Sequence, residues 1–231
     1  LLALDGFDAR PHELVWREDR LVGLRFITDA EVTVWLDPEM KALQAEVDQR
    51  LGATVNLLTP PQRGDAPHVL VEAYSDVHPA RFFVWHRGDK QLTLLGQARP
   101  RVQPAQMATM DFVRYAARDG LSIPAYLTLP PGGVRKNLPL VVLVHGGPWV
   151  RGTTWGWNAE VQFLASRGYA VLQPEFRGST GFGERHFRAG FKQWGLAMQD
   201  DLTDGARWAI AQGVADPKRV AIAGASYGGY A

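Results

Sequence analysis

The sequence has 231 residues, which is long enough for one large domain or parts of two and for a sizeable hydrophobic core. Apolar residues make up 46% and charged residues 21%, a composition typical of globular rather than disordered proteins. The 25 Lys and Arg side chains nearly balance the 24 Asp and Glu, so the charge indicates neither a nucleic acid nor an anionic membrane as partner. Cysteine is absent, which excludes disulfide bonds and thiolate metal sites.

No apolar stretch approaches the length of a membrane-spanning helix, and residues 1–5 do not resemble a signal peptide. The sequence does not begin with Met and ends soon after its most informative motif, so we expect a piece of a longer protein. The compartment stays unknown, with a soluble cytoplasmic protein favoured. A periplasmic or secreted protein is the alternative if a signal peptide precedes residue 1.

Residues 1–100 have the pattern of short β-strands separated by turns. Gly64-Asp65 and Gly88-Asp89 are two of the predicted turns. Strands rich in Val, Leu, Phe and Trp are predicted at 20–26, 32–36, 68–74 and 81–86.

One segment of this region is predicted to be helical. Met40, Leu43 and Val47 fall on one face of a helix between Pro38 and Gly52, and charged residues occupy the other faces. An apolar stripe of this kind usually packs in a core, and we expect the helix to cover the edge of a sheet.

The chain changes character after residue 97. Residues 98–106 contain two prolines and no periodicity, which predicts a linker. Segments 110–117 and 122–129 then alternate apolar and polar residues on either side of Arg118-Asp119-Gly120, which predicts a hairpin.

From residue 139 onward strands and helices alternate, which predicts an α/β fold with a mainly parallel sheet. Asn158 is the predicted N-cap of the first helix, and Asp200 or Asp201 is predicted to start the longest one. Strands are predicted at 139–144, 169–173 and 219–223, and helices at 158–167, at 184–191 and from residue 200 or 201 to Gly213.

Ser226 is the candidate nucleophile. It lies in Gly224-Ala225-Ser226-Tyr227-Gly228, which fits G-x-S-x-G directly after a predicted buried strand. In α/β-hydrolases this pattern forms a tight strand-to-helix turn that exposes the serine hydroxyl. A serine hydroxyl is a poor nucleophile without a neighbouring base and an acid that orients the base. In hydrolases of this type both follow the serine, whereas all six histidines here precede Ser226.

The segment His145-Gly146-Gly147-Pro148 follows the predicted strand 139–144. A glycine loop at this point can present a backbone N–H to the oxyanion of an acyl intermediate. The hydrolase template therefore predicts the amides of Gly147 and Tyr227 as the oxyanion hole, with a simple tight turn as the alternative reading of the loop. His145 is predicted to orient or pack the loop rather than to act as acid or base.

The segment 177–183 is a second glycine-rich loop. It lacks the lysine and the spacing of phosphate-binding loops, so we predict a shaped loop near the active site. Arg177 is expected to pair with Asp200 or Asp201 in a structural ion pair. Trp149, Trp155 and Trp157 are expected to cluster in packing, with a substrate-pocket wall as the alternative.

Four segments in fixed order resemble the prolyl oligopeptidase family of serine peptidases, with its acylaminoacyl-peptidase and dipeptidyl-peptidase-like branch closest. They are LVVLVHGGPW, LASRGYAVLQPEFRGSTGFG, WGLAMQDDLTDGARWAI and RVAIAGASYGGYA. The resemblance covers about residues 111–231 and implies a β-propeller followed by an α/β-hydrolase domain, with the active site between them. Residues 1–100 would be the C-terminal blades of the propeller with an inserted helix, and 101–231 an incomplete peptidase domain.

By this resemblance Ser226 is the nucleophile, Gly147 and Tyr227 provide the oxyanion amides, and Gly224, Gly228 and Gly229 are spacers. The family's Asp and His have no counterpart in residues 1–231, and proline specificity does not follow. No metal or other cofactor is implied. The expected partner is an oligopeptide substrate, with no nucleic acid and no membrane, and a homo-oligomer is compatible with the resemblance.

The expected function is hydrolysis of short peptides through an acyl-enzyme on Ser226. An esterase that acts on small acyl esters is the alternative enzyme, because the same catalytic groups serve both reactions. A non-catalytic module is the alternative from another class, and it applies if residues 1–231 are the entire chain.

Overall fold

The computed structural model describes residues 4–63, 66–133 and 135–231, and the predicted turn at Gly64-Asp65 lies outside these ranges. The helices are α1 (Pro38–Leu51), α2 (Ala159–Ser166), α3 (Glu184–Arg188), α4 (Ala197–Ala211) and α5 (Tyr227–Tyr230), and a 3₁₀ turn covers Pro104–Gln106. None of the helices in these described ranges has the length and apolar character needed to cross a bilayer. The strands are β1 (Glu13–Arg17), β2 (Arg20–Ile27), β3 (Glu31–Trp35), β4 (Val55–Thr59), β5 (His68–Tyr74), β6 (Arg81–His86), β7 (Gln91–Gln97), β8 (Met110–Ala116), β9 (Ser122–Thr128), β10 (Leu138–Val144), β11 (Ala170–Pro174) and β12 (Ala215–Gly224).

The first seven strands form two antiparallel sheets in which neighbours in the chain are neighbours in space. The first has the order β1-β2-β3 and the second β4-β5-β6-β7. The four predicted strands of this region are confirmed as β2, β3, β5 and β6. The prediction missed β1, β4 and β7, and β7 has little signal because its side chains are mostly exposed.

Helix α1 has the predicted ends and contacts both antiparallel sheets. The Asp37 carboxylate accepts a hydrogen bond of 3.0 Å from the Met40 amide at its start, and Gly52 follows its last residue with φ 67°. Its buried face belongs to the same hydrophobic cluster as Val69 and Val71 of β5 and Trp85 of β6. The strands nearest to the helix are β3 and β4, each an edge strand of its sheet, which agrees with the predicted position at a sheet edge.

The third sheet is mixed and has the order β12-β10-β11-β9-β8. Strand β10 runs parallel to β11 and β12, whereas β9 runs antiparallel to β11 and β8. The predicted hairpin is confirmed as β8 and β9, whose short connection permits only antiparallel pairing. The predicted mainly parallel sheet is therefore correct for β10, β11 and β12 only.

Helix α4 covers this sheet and begins earlier than predicted. Its first residue is Ala197, and Asp200 lies within its first turn. Met198 is fully buried in the core beside Leu140 and Leu172, so the apolar stripe extends one turn before Leu202. Core packing of Met198 therefore outweighs the preference of the aspartates for the helix start.

The loop after β10 fastens the α/β part to the turn between β2 and β3. Arg151 donates to the carbonyls of Ile27 and Thr28, and its guanidinium lies over the Phe182 ring, 4.4 Å from the centroid. The Trp155 amide and the Tyr126 hydroxyl both donate to the Asp29 carbonyl, at 2.9 and 2.6 Å. The first sheet is thus held directly against the segment that follows the glycine loop.

Candidate active site

Ser226 sits in a tight turn between strand β12 and helix α5. Its φ of 57° and ψ of −121° lie in a region that residues with a side chain rarely adopt. The side chain is exposed, while Tyr227 and Gly228 behind it are buried. This strained and exposed geometry is that of a nucleophile elbow.

Glycine is required at two positions around the turn. A Cβ on Gly228 would lie 2.1 Å from the Val144 carbonyl oxygen, and one on Gly224 would lie 2.6 Å from the same atom. At Gly229 the nearest atom would be 3.5 Å away, which is an ordinary contact. The structure therefore gives a spacer role to Gly224 and Gly228, and Gly229 has room for a methyl group.

The glycine loop and the elbow meet because they leave adjacent parallel strands at the same level. Val144, at the end of β10, is paired with Gly224, at the end of β12. A Cβ placed on Gly146 would lie 3.3 Å from the Ser226 Cβ and 3.8 Å from its Oγ. The loop predicted to supply the Gly147 amide is thus in contact with the predicted nucleophile, and Tyr227 follows directly.

His145 is an internal part of this loop. Its Nδ1 lies 2.6 Å from the Gly146 carbonyl oxygen, its Nε2 lies 3.0 Å from the Ser179 Oγ, and its ring stacks on Phe176. Burial lowers the pKa of His145, which favours the neutral ring. These contacts agree with an orienting role rather than an acid–base role.

Sequence reasoning missed Glu175, which is fully buried behind the loop. Its carboxylate accepts hydrogen bonds from the amides of Gly152, at 3.0 Å, and Thr153, at 2.6 Å. Burial raises the pKa of Glu175 to about 7, and the Gly152 amide and the Arg151 charge oppose this shift. The available signal was a carboxylate directly after a buried strand, since charged residues are rarely buried without a partner.

Arg177 is the centre of a buried ion-pair network. Its backbone amide, Nε and Nη2 donate to the Asp201 carboxylate at 2.8 to 2.9 Å, which confirms one of the two predicted partners. Its Nη1 also donates to Asp119 at 2.7 Å, a partner that the sequence did not indicate. The other candidate, Asp200, pairs instead with Arg118.

His186 is buried next to this network and gives a testable pH dependence. Its Nε2 lies 3.0 Å from the Glu175 carbonyl oxygen, and burial lowers its pKa from 6.5 to about 4. Because the pKa of His186 is lower in the folded than in the unfolded protein, the unfolded protein binds more protons between pH 6.5 and 4. The stability that the neutral ring contributes is therefore complete above pH 6.5 and is lost as the pH falls toward 4. We expect His186→Gln to remove about 2–3 kcal/mol of the stability loss between pH 7 and 4.5. Urea denaturation midpoints over this interval test this, and parallel curves for the two proteins would contradict it.

Aromatic side chains flank the elbow. Trp149, which follows the glycine loop, makes edge contacts with the rings of Phe187 and Phe191. Trp194 packs against Tyr227, with ring centroids 5.0 Å apart. The Trp194 ring thus lies against the residue that follows Ser226, and the Trp149 ring lies against the aromatic rings at and just after α3.

Trp155 and Trp157 occupy a different place from Trp149. Both line a cavity of about 570 Å³ together with Glu31 and Tyr74. The Trp155 indole donates to the Met110 carbonyl oxygen at 2.9 Å. The predicted tryptophan cluster is therefore divided between the elbow surface and this cavity.

Within the described ranges, no group of three or more His, Asp or Glu side chains is placed to hold a metal ion. The reactive group that the described residues provide at this site is the Ser226 hydroxyl, which lies beside the glycine loop. The roles of Ser226, Gly147 and Tyr227 in a reaction remain predictions, whereas the closeness of Gly146, the neighbour of Gly147, to Ser226 is a feature of the structure.

Known proteins resemble this chain in sequence. Residues 155–231 match the model of the prolyl oligopeptidase family, Peptidase_S9. Dipeptidyl aminopeptidase BIII of Pseudoxanthomonas mexicana is 43% identical over 169 residues, which are 70% of this chain and 24% of that protein. Dipeptidyl peptidase family member 6 of Caenorhabditis elegans is 33% identical over 212 residues, which are 83% of this chain and 28% of that protein.

A solved structure agrees with these sequences. The puromycin-hydrolyzing peptidase of Mycobacterium tuberculosis superposes with a TM-score of 0.63 and 26% identity over 73% of this chain and 27% of that one. The chain thus spans about a quarter of the length of the relatives that it matches. The resemblance carried by the four sequence segments is confirmed, and the chain belongs to the prolyl oligopeptidase family.

Proposed function

We propose that this chain is part of a serine peptidase that hydrolyses short peptides through an acyl-enzyme on Ser226. The observation that carries the proposal is the closeness of the strained, exposed Ser226 to Gly146, where an added Cβ would lie 3.3 Å from the Ser226 Cβ. An acyl-transfer site needs a nucleophile and oxyanion donors around one carbonyl group, and a glycine loop close to Ser226 supports this assignment.

In the proposed reaction the Ser226 Oγ attacks the carbonyl carbon of the scissile peptide bond. The Gly147 and Tyr227 amides donate to the oxyanion of the tetrahedral intermediate. The hydroxyl proton passes to a histidine base and then to the leaving amine, and water afterwards releases the acyl group. We propose that this histidine and its aspartate lie outside residues 1–231, which agrees with the greater length of the relatives.

The architecture supports the peptidase over the esterase. We propose that residues 1–100 are the last blades of a β-propeller and that residues 101–231 are part of an α/β-hydrolase domain. The antiparallel order β4-β5-β6-β7 is that of a propeller blade, and the mixed sheet with its elbow is that of a hydrolase. A propeller over the site would restrict entry to short, unfolded peptides. The names of the two sequence relatives also favour a peptide substrate.

Labelling by a fluorophosphonate probe tests the nucleophile in the full-length protein. We expect Ser226→Ala to abolish labelling and to lower peptide hydrolysis by at least about 10⁴-fold, because the remaining groups cannot form the acyl-enzyme. Ser166→Ala is the matched control, since Ser166 is exposed at the end of α2, and it should label like the wild type. Continued labelling of Ser226→Ala would refute the assignment.

Two further measurements separate the alternatives. Aminoacyl anilides and p-nitrophenyl esters distinguish a peptidase from an esterase, and turnover of esters alone would refute the peptidase. Residues 1–231 expressed alone should not label, because the proposed base is elsewhere. Strong labelling of this piece would place the base within it, and an unlabelled full-length protein would favour the non-catalytic alternative.

A further inference from the structure

Glu175 holds the glycine loop from both sides, although it lies outside the predicted catalytic set. Its two carboxylate oxygens each accept one amide, from Gly152 and from Thr153, on the far side of the loop. On the near side the Glu175 Oε2 lies 3.6 Å from the His145 Nε2. One fully buried side chain thus reaches both ends of residues 145–153.

Ser179 bridges the near side and is itself fully buried. Its Oγ lies 3.0 Å from the His145 Nε2, and its hydroxyl is close enough to the Glu175 carboxyl group to lower the pKa of that group. The His145 Nδ1 must carry a hydrogen, because it lies 2.6 Å from the Gly146 carbonyl oxygen. The chain of contacts therefore runs from Glu175 through Ser179 and His145 to Gly146.

The hydrogens in this cluster can be arranged in a way that agrees with a neutral His145. Because its Nδ1 carries the hydrogen, the His145 Nε2 can only accept, and the Ser179 hydroxyl donates to it. A protonated Glu175 can then donate to the Ser179 Oγ, which agrees with the raised pKa of the carboxyl group.

Arg151, Tyr126 and His186 are further charged or titratable groups near Glu175. The Arg151 charge lowers the pKa of the Glu175 carboxyl group, and the Glu175 charge raises the pKa of Tyr126. His186 contacts only the backbone carbonyl of Glu175 and is neutral at pH 7. The carboxyl group accepts hydrogen bonds from the two loop amides, and Ser179 and His145 lie beside it.

We propose that Glu175 is a positioning residue that fixes the glycine loop against Ser226 through the Gly152 and Thr153 amides and through Ser179 and His145. This inference rests on the proposed function, because its consequence is the placement of the oxyanion donor. A Cβ on Gly146 would be only 3.3 Å from the Ser226 Cβ, so movement of the loop changes the space beside the hydroxyl directly.

Glu175→Gln tests the proposal in the full-length protein. Glutamine keeps the volume but turns one acceptor oxygen into an NH₂ group, which must face a backbone N–H or the bridge. We expect kcat per active site, titrated with a fluorophosphonate, to fall about 10- to 100-fold with little change in KM. Amide exchange of residues 146–153 is expected to accelerate in the same variant.

Asp204→Asn is the matched control. Asp204 is a buried carboxylate that pairs with Arg118 on the turn between β8 and β9. It should lower the melting temperature without changing kcat per titrated site or exchange of the loop amides. A merely structural role of Glu175 would produce the same result as this control.

The outcomes separate the two hypotheses. If Glu175→Gln keeps the wild-type kcat per titrated site and the wild-type loop exchange, the positioning role is refuted while the peptidase stands. If the wild type neither labels nor turns over, the proposed function fails, and loop exchange still decides whether Glu175 holds the loop. Ser179→Ala removes only the bridge, so it provides the same two readouts if Glu175→Gln does not fold.

Discussion

Gly228→Ala is expected to lower the free energy of unfolding by at least about 3 kcal/mol. The added methyl carbon would lie 2.1 Å from the Val144 carbonyl oxygen and 2.9 Å from its carbonyl carbon. These are backbone atoms at the end of β10, so neither a rotamer change nor a flexible side chain can relieve the overlap. The elbow must then move away from the glycine loop. Chemical denaturation should show the lower stability, and fluorophosphonate labelling of the full-length protein should be weaker than in the wild type.

Gly229→Ala is the control for this prediction. The two glycines are adjacent in α5, and at Gly229 the methyl carbon would meet its nearest atom at 3.5 Å. Its φ is not positive, and alanine favours helix, so a change within about 1 kcal/mol is expected. Equal stability losses for the two variants would show that close backbone contact is not the reason for glycine at position 228.

Asp201→Asn is expected to destabilise the protein by about 3–5 kcal/mol. The Asp201 side chain is fully buried and accepts three hydrogen bonds from Arg177. The variant removes the negative charge and turns one acceptor into a donor that faces Arg177. The buried guanidinium then keeps the half-exposed Asp119 as its carboxylate partner. Urea denaturation at pH 7–8 measures the effect.

Asp119→Asn changes the other carboxylate of the same arginine. Its side chain is 50% exposed, so water can replace the lost interaction, and a loss of at most about 1 kcal/mol is expected. A double variant should lose more than the sum of the single ones, because Arg177 then keeps no carboxylate. If both single variants are equally stable, burial does not decide the strength of this network.

The sequence predicted those features that depend on local pattern. The helix α1 follows from the spacing of Met40, Leu43 and Val47, and its ends follow from Asp37 and Gly52. The elbow and the glycine loop follow from short motifs at the ends of strands. Their contact follows as well, because parallel neighbouring strands end at the same edge of a sheet. The strand before the elbow was predicted to be buried, whereas β12 lies at the edge of its sheet and is mostly exposed.

Features that depend on distant partners were not predictable in the same way. The pairing of Arg177 with Asp119 joins residues 58 positions apart, and the link from Glu175 to Gly152 and Thr153 depends on how β11 lies beside the loop. Helix α4 begins before the predicted residue 200 or 201 because Met198 is buried against the sheet. This burial depends on strands that are distant in the chain. The mixed strand direction likewise arises because β11 pairs with β9 in the antiparallel direction, and no local pattern encodes this pairing.

The attachment between the first sheet and the loop after β10 has a consequence for sequence variation. Arg151, Tyr126 and Trp155 all donate to main-chain carbonyls of residues 27–29, and these acceptors exist whatever side chains the residues carry. Mutations at 27–29 that preserve the turn can therefore accumulate without loosening the attachment. The evolutionary constraint falls on one side of the contact, and residue 151 should tolerate far less change than the turn that it holds.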